Sequence, residues 1–434
     1  MPITLSPEQI LALAPDASSA KNGKGLATPR KWQELGTYEE VVWGECKGSG
    51  SKPYQTQIDL VETAFKCSCP SRKFPCKHGL GLFLLLASQP DAFTQHQPPD
   101  WVNEWLITRR QKQAKKAEKS EKVTDPVAQG KRAAQREEKV TGGVQELDRW
   151  LRDLVQQGLA TLPGQDYSFW DTVTARMVDA QAPGLARQLQ EISGIPHTGA
   201  GWVERLLERL GRLYLLLEGF QRLETLPPAT QADIRTAIGW TQKEESASSM
   251  VRDRWLILGQ RVEEQDKLRT QRTWLWGQDT QKSALILNFA YGDQPLDTSL
   301  FPGTVLDAEL GFFESAYPLR AVVKVRHAPP TPLLEMPGEG AIASAFAKYT
   351  KALACQPWIE QFPLTLQTVI PEHDNGGWAL RDSVNNRVLL TPSFEDCWQL
   401  VALSGGHPIT VFGEWNGDRF LPLSAFAENL FISV

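Results

Sequence analysis

The sequence predicts an α+β, multidomain fold, and three observations carry that expectation. Near the N-terminus, cysteines crowd a segment between strand-like and helix-like runs, the build of a small treble-like module of short strands plus a helix. A middle stretch repeats leucine at helical spacing, which indicates a helical middle domain. The last third breaks into short runs rich in β-branched and aromatic residues, which indicates a β-rich C-terminal domain.

The bulk composition sets the class. At 434 residues the chain has room for about two to four domains. An apolar fraction of 41% and a charged fraction of 22% are those of an ordinary globular protein. A net charge of −5 argues against a surface that coats nucleic acid, though a local basic patch is compatible with it. The opening residues, MPITLSPEQI, lack a basic stretch followed by an apolar one, so no secretory signal is expected. The longest apolar run, Leu80 to Ala87, is far short of the ~20 residues that span a bilayer. No membrane role and a cytoplasmic location are the expectation.

Along the chain, Ser6, Pro7 and Glu8 read as an N-cap, a first-turn proline and an acidic first turn of a short helix ending near Leu13. Gly23 to Gly25 mark a loop. Glu39–Trp43 and Tyr54–Leu60 read as strands joined by turn residues between Gly44 and Pro53, and Phe65–Cys69 as a third strand. Pro75 introduces a helix over Cys76–Ser88, and another begins near Trp101. Residues 109–143 are rich in Lys, Arg, Glu, Gln and Ala and read as a charged linker or solvated helix, broken at Pro126 and ended by Gly142 and Gly143. Helical spacing then recurs in Leu147, Leu151, Leu154 and Val155, and in Val203, Leu206, Leu207, Leu210, Leu213 and Leu217. From about Thr273 the pattern is strand-like, with runs at Ala284–Tyr291, Val305–Phe313 and Leu319–Val325. A proline-rich linker, Pro329 to Pro337, precedes a helix near Ala341–Ala354. Turns are expected at Ser383–Asn386 and at Asn416–Gly417, the latter a hairpin signal.

Three of the six cysteines fall within ten residues, and the other three (Cys46, Cys355, Cys397) are scattered. In a reducing compartment a cluster points to metal and scattered thiols to burial. The cluster reads Cys67-x-Cys69, six residues, then Cys76-x-His78. Three thiolates and one imidazole satisfy a tetrahedral zinc ion. Residues at i and i+2 of a strand share a face, so Cys67 and Cys69 can point together. Cys76 falls at a helix start, where the dipole favours a thiolate, and His78 follows in the same turn. Four protein ligands leave no open position for water, so one structural Zn(2+) ion is expected. Leu80, Leu82, Phe83 and Leu86 form the stripe that docks this helix on the strands.

The pattern Cys-x-Cys, spacer, Cys-x-His resembles the SWIM-type zinc finger, and Cys67, Cys69, Cys76 and His78 match its four ligand positions. The surrounding WGECKGSGSKPYQTQIDL and CSCPSRKFPCKHGLGL resemble the bacterial SWIM proteins in particular, specifically over roughly residues 20–90. The resulting division is a zinc finger domain at 1–108 (finger core about 54–90), the charged segment 109–143, a helical domain at 144–270 and a β-rich domain of unknown role at 271–434. The resemblance implies DNA binding or protein contacts without choosing between them. It also implies companions of the MoxR-like AAA+ ATPase and von Willebrand A-type classes.

Two binding readings follow. The first is a protein-interaction adaptor. The second is nucleic-acid binding through a basic rim of Lys66, Arg72, Lys73 and Lys77, extended by Arg109, Arg110, Lys112, Lys115 and Lys116, with phosphate contacts releasing counterions. Phe74 is either a stacking residue or part of the finger core.

An enzyme is not expected. Neither G-x-x-x-x-G-K-[ST] nor a strand-linked G-x-G-x-x-G is present, and H-E-x-x-H is absent. Gly48 to Lys52 read as a hairpin loop, and Cys46 as a small packing residue. Glu372, His373 and Asp374 lead into a turn at Asn375 to Gly377. His197 and His407 sit in loops with no recognisable triad partner. The fifteen tryptophans are expected mainly in cores.

Overall fold

A computed structural model describes residues 5–48, 52–120, 126–265, 267–292, 294, 296–374 and 376–434. It has four packed units: an N-terminal module, a helical bundle, a β-barrel and a C-terminal α/β sheet.

The N-terminal module begins with α1 (Pro7–Leu11) and α2 (Ala17–Lys24). The Ser6 and Gln9 side chains cap α1 reciprocally, Ser6 Oγ accepting from the Gln9 amide and Gln9 Oε1 from that of Ser6. Four antiparallel strands follow: β1 (Trp32–Tyr38), β2 (Val41–Cys46), β3 (Tyr54–Asp59) and β4 (Ala64–Cys67). Helix α3 (Lys77–Ser88) crosses them, and β5 (Thr94–Gln95) adds a parallel edge to β1.

Every residue of α3 from His78 to Leu86 is buried. Of the expected stripe, Leu82 and Phe83 face the strands, Leu82 beside Gly44 and Phe83 edge-on to Phe65, while Leu80 lies on the side that meets α2. Glycine permits that second contact: a Cβ on Gly81 would lie 2.6 Å from the Leu26 Cβ, and one on Gly23 would lie 2.9 Å from the Leu80 Cβ. β1 was not expected from sequence. Its burial alternates poorly, with Trp32 and Gly36 buried and the rest half-buried or exposed.

Helix α4 (Asp100–Ser120) covers Val41 and Trp43 with Val102 and Trp105. The next helix, α5 (Pro126–Gln157), begins at Pro126, and residues 121–125 before it lie outside the described residues. The expected end at Gly142–Gly143 is not found, because α5 runs through both. A Cβ at Gly143 would lie 2.5 Å from that of Ala180, so this glycine serves helix contact. Helices α6 (Tyr167–Asp179), α7 (Pro183–Gly194), α8 (Trp202–Gln221) and α9 (Pro228–Ile238) complete the bundle around Leu147, Leu151, Leu206, Leu210, Leu213 and Leu217. Val155, Val203 and Leu207 from the expected stripes are exposed instead.

Strand structure starts earlier than Thr273. β6 (Ser249–Gln265) and β7 (Leu268–Gly277) form a long hairpin, followed by β8 (Ser283–Tyr291), β9 (Thr304–Phe312) and β10 (Arg320–Arg326). β10 pairs antiparallel with β9 and parallel with β8, which closes β6 to β10 into a barrel. The Pro329–Pro337 stretch is a packed strap: β11 (Thr331–Pro332) pairs with β9, and Leu333 and Met336 are buried.

The last unit contains α10 (Ile342–Cys355), β12 (Phe362–Asp374), β13 (Gly377–Arg381), β14 (Arg387–Leu389), α11 (Cys397–Ser404), β15 (Ile409–Trp415), β16 (Phe420–Ala427) and β17 (Leu430–Ser433). Both expected turns are found, between β13 and β14 and, at Asn416–Gly417, between β15 and β16. One core joins this sheet to the outer face of the barrel through Leu256, Leu258, Trp274, Val411 and Phe412. Of the tryptophans, Trp255 and Trp274 are fully buried, whereas Trp398 is 72% exposed.

The units are stitched by polar contacts. Gln9 donates to the Gly303 carbonyl, and Phe301 of the barrel enters the N-terminal core. Asp233 of α9 accepts from the Ala316 amide, and Arg187 of α7 pairs with Glu360. Glu414 of β15 accepts from Arg272 and Trp274 of β7.

Candidate metal centre

Four side chains converge where β4, the following loop and α3 meet. Cys67 ends β4, Cys69 lies in the loop, Cys76 is the N-cap of α3 and His78 sits in its first turn. Their ligand atoms all lie within 4.8 Å of one another. His78 Nδ1 is 3.7 Å from Cys67 Sγ and 4.0 Å from Cys76 Sγ. A tetrahedron with Zn–S bonds of about 2.3 Å places its sulfurs about 3.8 Å apart, so the donor set fits one zinc ion. Cys76 and His78 are buried and Cys67 and Cys69 half-buried, which shields the thiolates while leaving ion entry from the loop side.

The local chemistry favours one thiolate, at Cys76, and holds the other two cysteines toward the thiol. Cys76 is held down to about 3, first by its hydrogen bond with Cys67, then by His78 and the Gly79 amide, against the opposing effect of burial. The same Cys67–Cys76 hydrogen bond and burial push Cys67 up. Burial also raises Cys69. The Cys69 amide donates to Cys67 and the Ser71 amide to Cys69, so main-chain N–H groups spread the negative charge. When bound, zinc supplies a cross-link between β4 and α3.

Residues beyond the four ligands support them. Thr56 is fully buried on β3, and its Oγ1 lies 3.2 Å from Cys67 Sγ, placed to donate to the thiolate. Tyr54 packs a tilted ring 4.8 Å from the His78 imidazole. Their sequence signal was the alternation of β3, which put both on one face but did not show which face looks toward the cysteines. Cys46 takes no part: it is buried in the module core, donates weakly to the Lys47 carbonyl and has its thiol raised by burial. The packing role holds for Cys46, although it ends β2 instead of lying in a loop.

The basic rim is divided. Lys66, Arg72 and Lys77 are exposed. Lys73 forms a 2.5 Å ion pair with Asp16, the N-cap of α2, and that lysine is the main reason the Asp16 carboxyl falls to about 2. Arg109 faces Asp59 and Glu62 at 3.7 and 3.9 Å. The side chains of Arg110, Lys112, Lys115 and Lys116 lie outside the described residues, as do Ser49 to Ser51 of the Gly48–Lys52 loop. Phe74 is 44% exposed and packs edge-on against Phe65, so it is a lip residue of the core.

The other polar candidates lie in ion pairs, a ring contact and turns. Glu372 pairs with Arg381 and Arg387, and Asp374 with Arg387, around the β12–β13 turn, whose Asn375 lies outside the described residues. His373 packs against Trp378. His197 ends a short 3-10 turn, and His407 lies between α11 and β15, its carbonyl accepting from Ser404.

Comparison with protein-family models finds the SWIM zinc finger over residues 54–87 and the SWIM-associated four-helix bundle domain over residues 135–238. Comparison with curated proteins and with solved structures gives no match. The first model spans β3, β4 and α3 with all four ligands, and the second spans most of α5 and all of α6 to α9. The chain is a SWIM-type zinc finger protein in which a Cys3His zinc site and a SWIM-associated helical bundle are followed by a barrel and a C-terminal sheet.

Proposed function

We propose that this SWIM protein is a zinc-dependent protein-interaction adaptor and not an enzyme. The observation that carries the reading is a cleft of about 870 Å³ between the zinc module and the barrel, with half-exposed Phe74 at its lip. An aromatic side chain at the mouth of a cleft is the usual anchor of a protein contact. Zinc holds this lip in place, because Phe74 lies on the loop between ligands Cys69 and Cys76. The neutralisation of Lys73 and Arg109 by neighbouring acids weakens the competing nucleic-acid reading. A MoxR-like AAA+ ATPase or a von Willebrand A-type protein is the partner class implied by the resemblance. Among the described residues no helix is long and apolar enough to cross a membrane.

Nucleic-acid binding is retained as the second reading because Lys66, Arg72 and Lys77 are exposed around the metal. The test is affinity capture from nuclease-treated host extract, followed by reconstitution with the purified captured protein. The adaptor reading expects a complex that survives nuclease and is lost in Phe74→Asp and Cys76→Ser. A gel shift with DNA or RNA that weakens steeply with salt, together with no nuclease-resistant partner, would replace it with the second reading.

A further inference from the structure

A second cavity, of about 390 Å³, lies where the bundle, barrel and C-terminal sheet meet, away from the zinc module. Five arginines from four elements line it: Arg187 on α7, Arg209 and Arg212 on α8, Arg272 on β7 and Arg320 on β10. Their carboxylate partners are fewer. Glu208 serves both Arg209 and Arg212, and Glu414 serves both Arg261 and Arg272. Arg187 has Glu360.

Arg320 differs from the rest. Among the described residues no carboxylate lies within ion-pair distance of it, and its guanidinium sits 4.7 Å over the Phe313 ring. It is half-buried, and burial alone lowers its pKa. A sequestered cation without a counter-charge is costly. Four acids line the same cavity, Glu191, Asp233, Glu314 and Glu360, and none of them forms an ion pair with Arg320: Asp233 is engaged by the Ala316 amide, Glu360 and Glu191 face Arg187, and burial pushes the Asp233 and Glu191 carboxyls up.

The neighbours of Arg320 are apolar and follow from strand register. Arg320 is paired with Leu285, and Leu285 with Trp274, so the three form a row across β10, β8 and β7. Residues in direct register share a sheet face, and neighbouring strands are about 4.8 Å apart. The row is therefore about 10 Å long, with a cation at one end and an indole at the other. Tyr317 and Trp358 add aromatic surface to the same cavity. Its volume is that of a small-molecule site.

We infer that this three-way junction binds a small organic anion, its charged group on Arg320 and its flat apolar body along Leu285 toward Trp274. The site is independent of the adaptor reading and uses none of the zinc ligands.

The test is calorimetric titration of the full-length zinc-loaded protein with 1-naphthyl phosphate, with 1-naphthol and inorganic phosphate as the uncharged and ring-free controls. Saturable binding of 1-naphthyl phosphate at one site is expected, at least about tenfold tighter than either control, the worth of one charge-assisted hydrogen bond. Arg320→Gln should lose that advantage, and Arg320→Lys should retain part of it. Thermal melts establish that both variants fold. If Arg320→Gln does not fold, quenching of tryptophan emission in the wild type decides, since a ring beside Trp274 and Trp358 should quench it saturably and 1-naphthol should not. The proposal is overturned by absence of saturable binding, by unchanged affinity in folded Arg320→Gln, or by equal affinity for inorganic phosphate.

Discussion

Cys67 Sγ at the end of β4 lies 3.7 Å from His78 Nδ1 in the first turn of α3, so the two halves of the zinc site belong to the two elements the metal would join. Both elements also pack in a common core with Ile58, Phe65, Leu80 and Phe83. Metal and hydrophobic burial thus act on one joint.

Chelation should therefore loosen the 60–90 segment while the bundle and barrel persist. Structural zinc contributes about 10–16 kcal/mol in finger peptides. Limited proteolysis with and without chelator checks this. New cuts confined to that segment are expected, and an unchanged digest would contradict the coupling.

Gly81→Ala should destabilise the module by about 1–3 kcal/mol, because the added methyl meets Leu26 and the Gly23 carbonyl between two packed helices. Urea unfolding followed in the N-terminal module measures it. Gly142→Ala, whose Cβ meets nothing, should be neutral or slightly stabilising in the middle of α5.

Burial, with a smaller push from Glu314, raises the Asp233 carboxyl from its ordinary 3.8 to about 6, against the lowering effects of Ser315 and the Ala316 amide. A raised folded pKa means the associated stability is complete below about 3.8 and is lost as pH rises through about 6. Asp233→Asn keeps an acceptor for the Ala316 amide without the charge. It should be more stable than wild type at pH 8, by up to about 3 kcal/mol, and should show no gain near pH 4. Melting curves across that range decide it.

Glu414 is fully buried and accepts from Arg272 and Trp274, joining barrel to C-terminal sheet. Glu414→Ala strands both donors and should cost about 3–5 kcal/mol in chemical denaturation. A loss below 1 kcal/mol would show that water replaces the carboxylate.

Much of the site was legible because zinc chemistry constrains residue type and spacing together. Cys67, Cys69, Cys76 and His78 need no tertiary information beyond a strand and a helix start. Thr56, Tyr54 and the Lys73–Asp16 pair were not legible, since each depends on which surfaces meet in space. The same distinction applies to the fold. β8, β9, β10 and α10 carry local patterns that match their final form. The middle of β6, from Trp255 to Leu258, is buried on both faces, against the barrel interior and the C-terminal sheet, so it lacks the alternation that marks a one-sided strand. The barrel closure between β8 and β10 rests on pairing across more than thirty residues and has no local signature.

The central claim is that four residues of this SWIM protein hold one zinc ion. Zinc content of the purified chain and of Cys76→Ser, measured by inductively coupled plasma mass spectrometry, tests it most directly. One zinc per wild-type chain and a large loss in the variant are predicted. A wild type without zinc, or a variant that keeps it fully, would contradict the account.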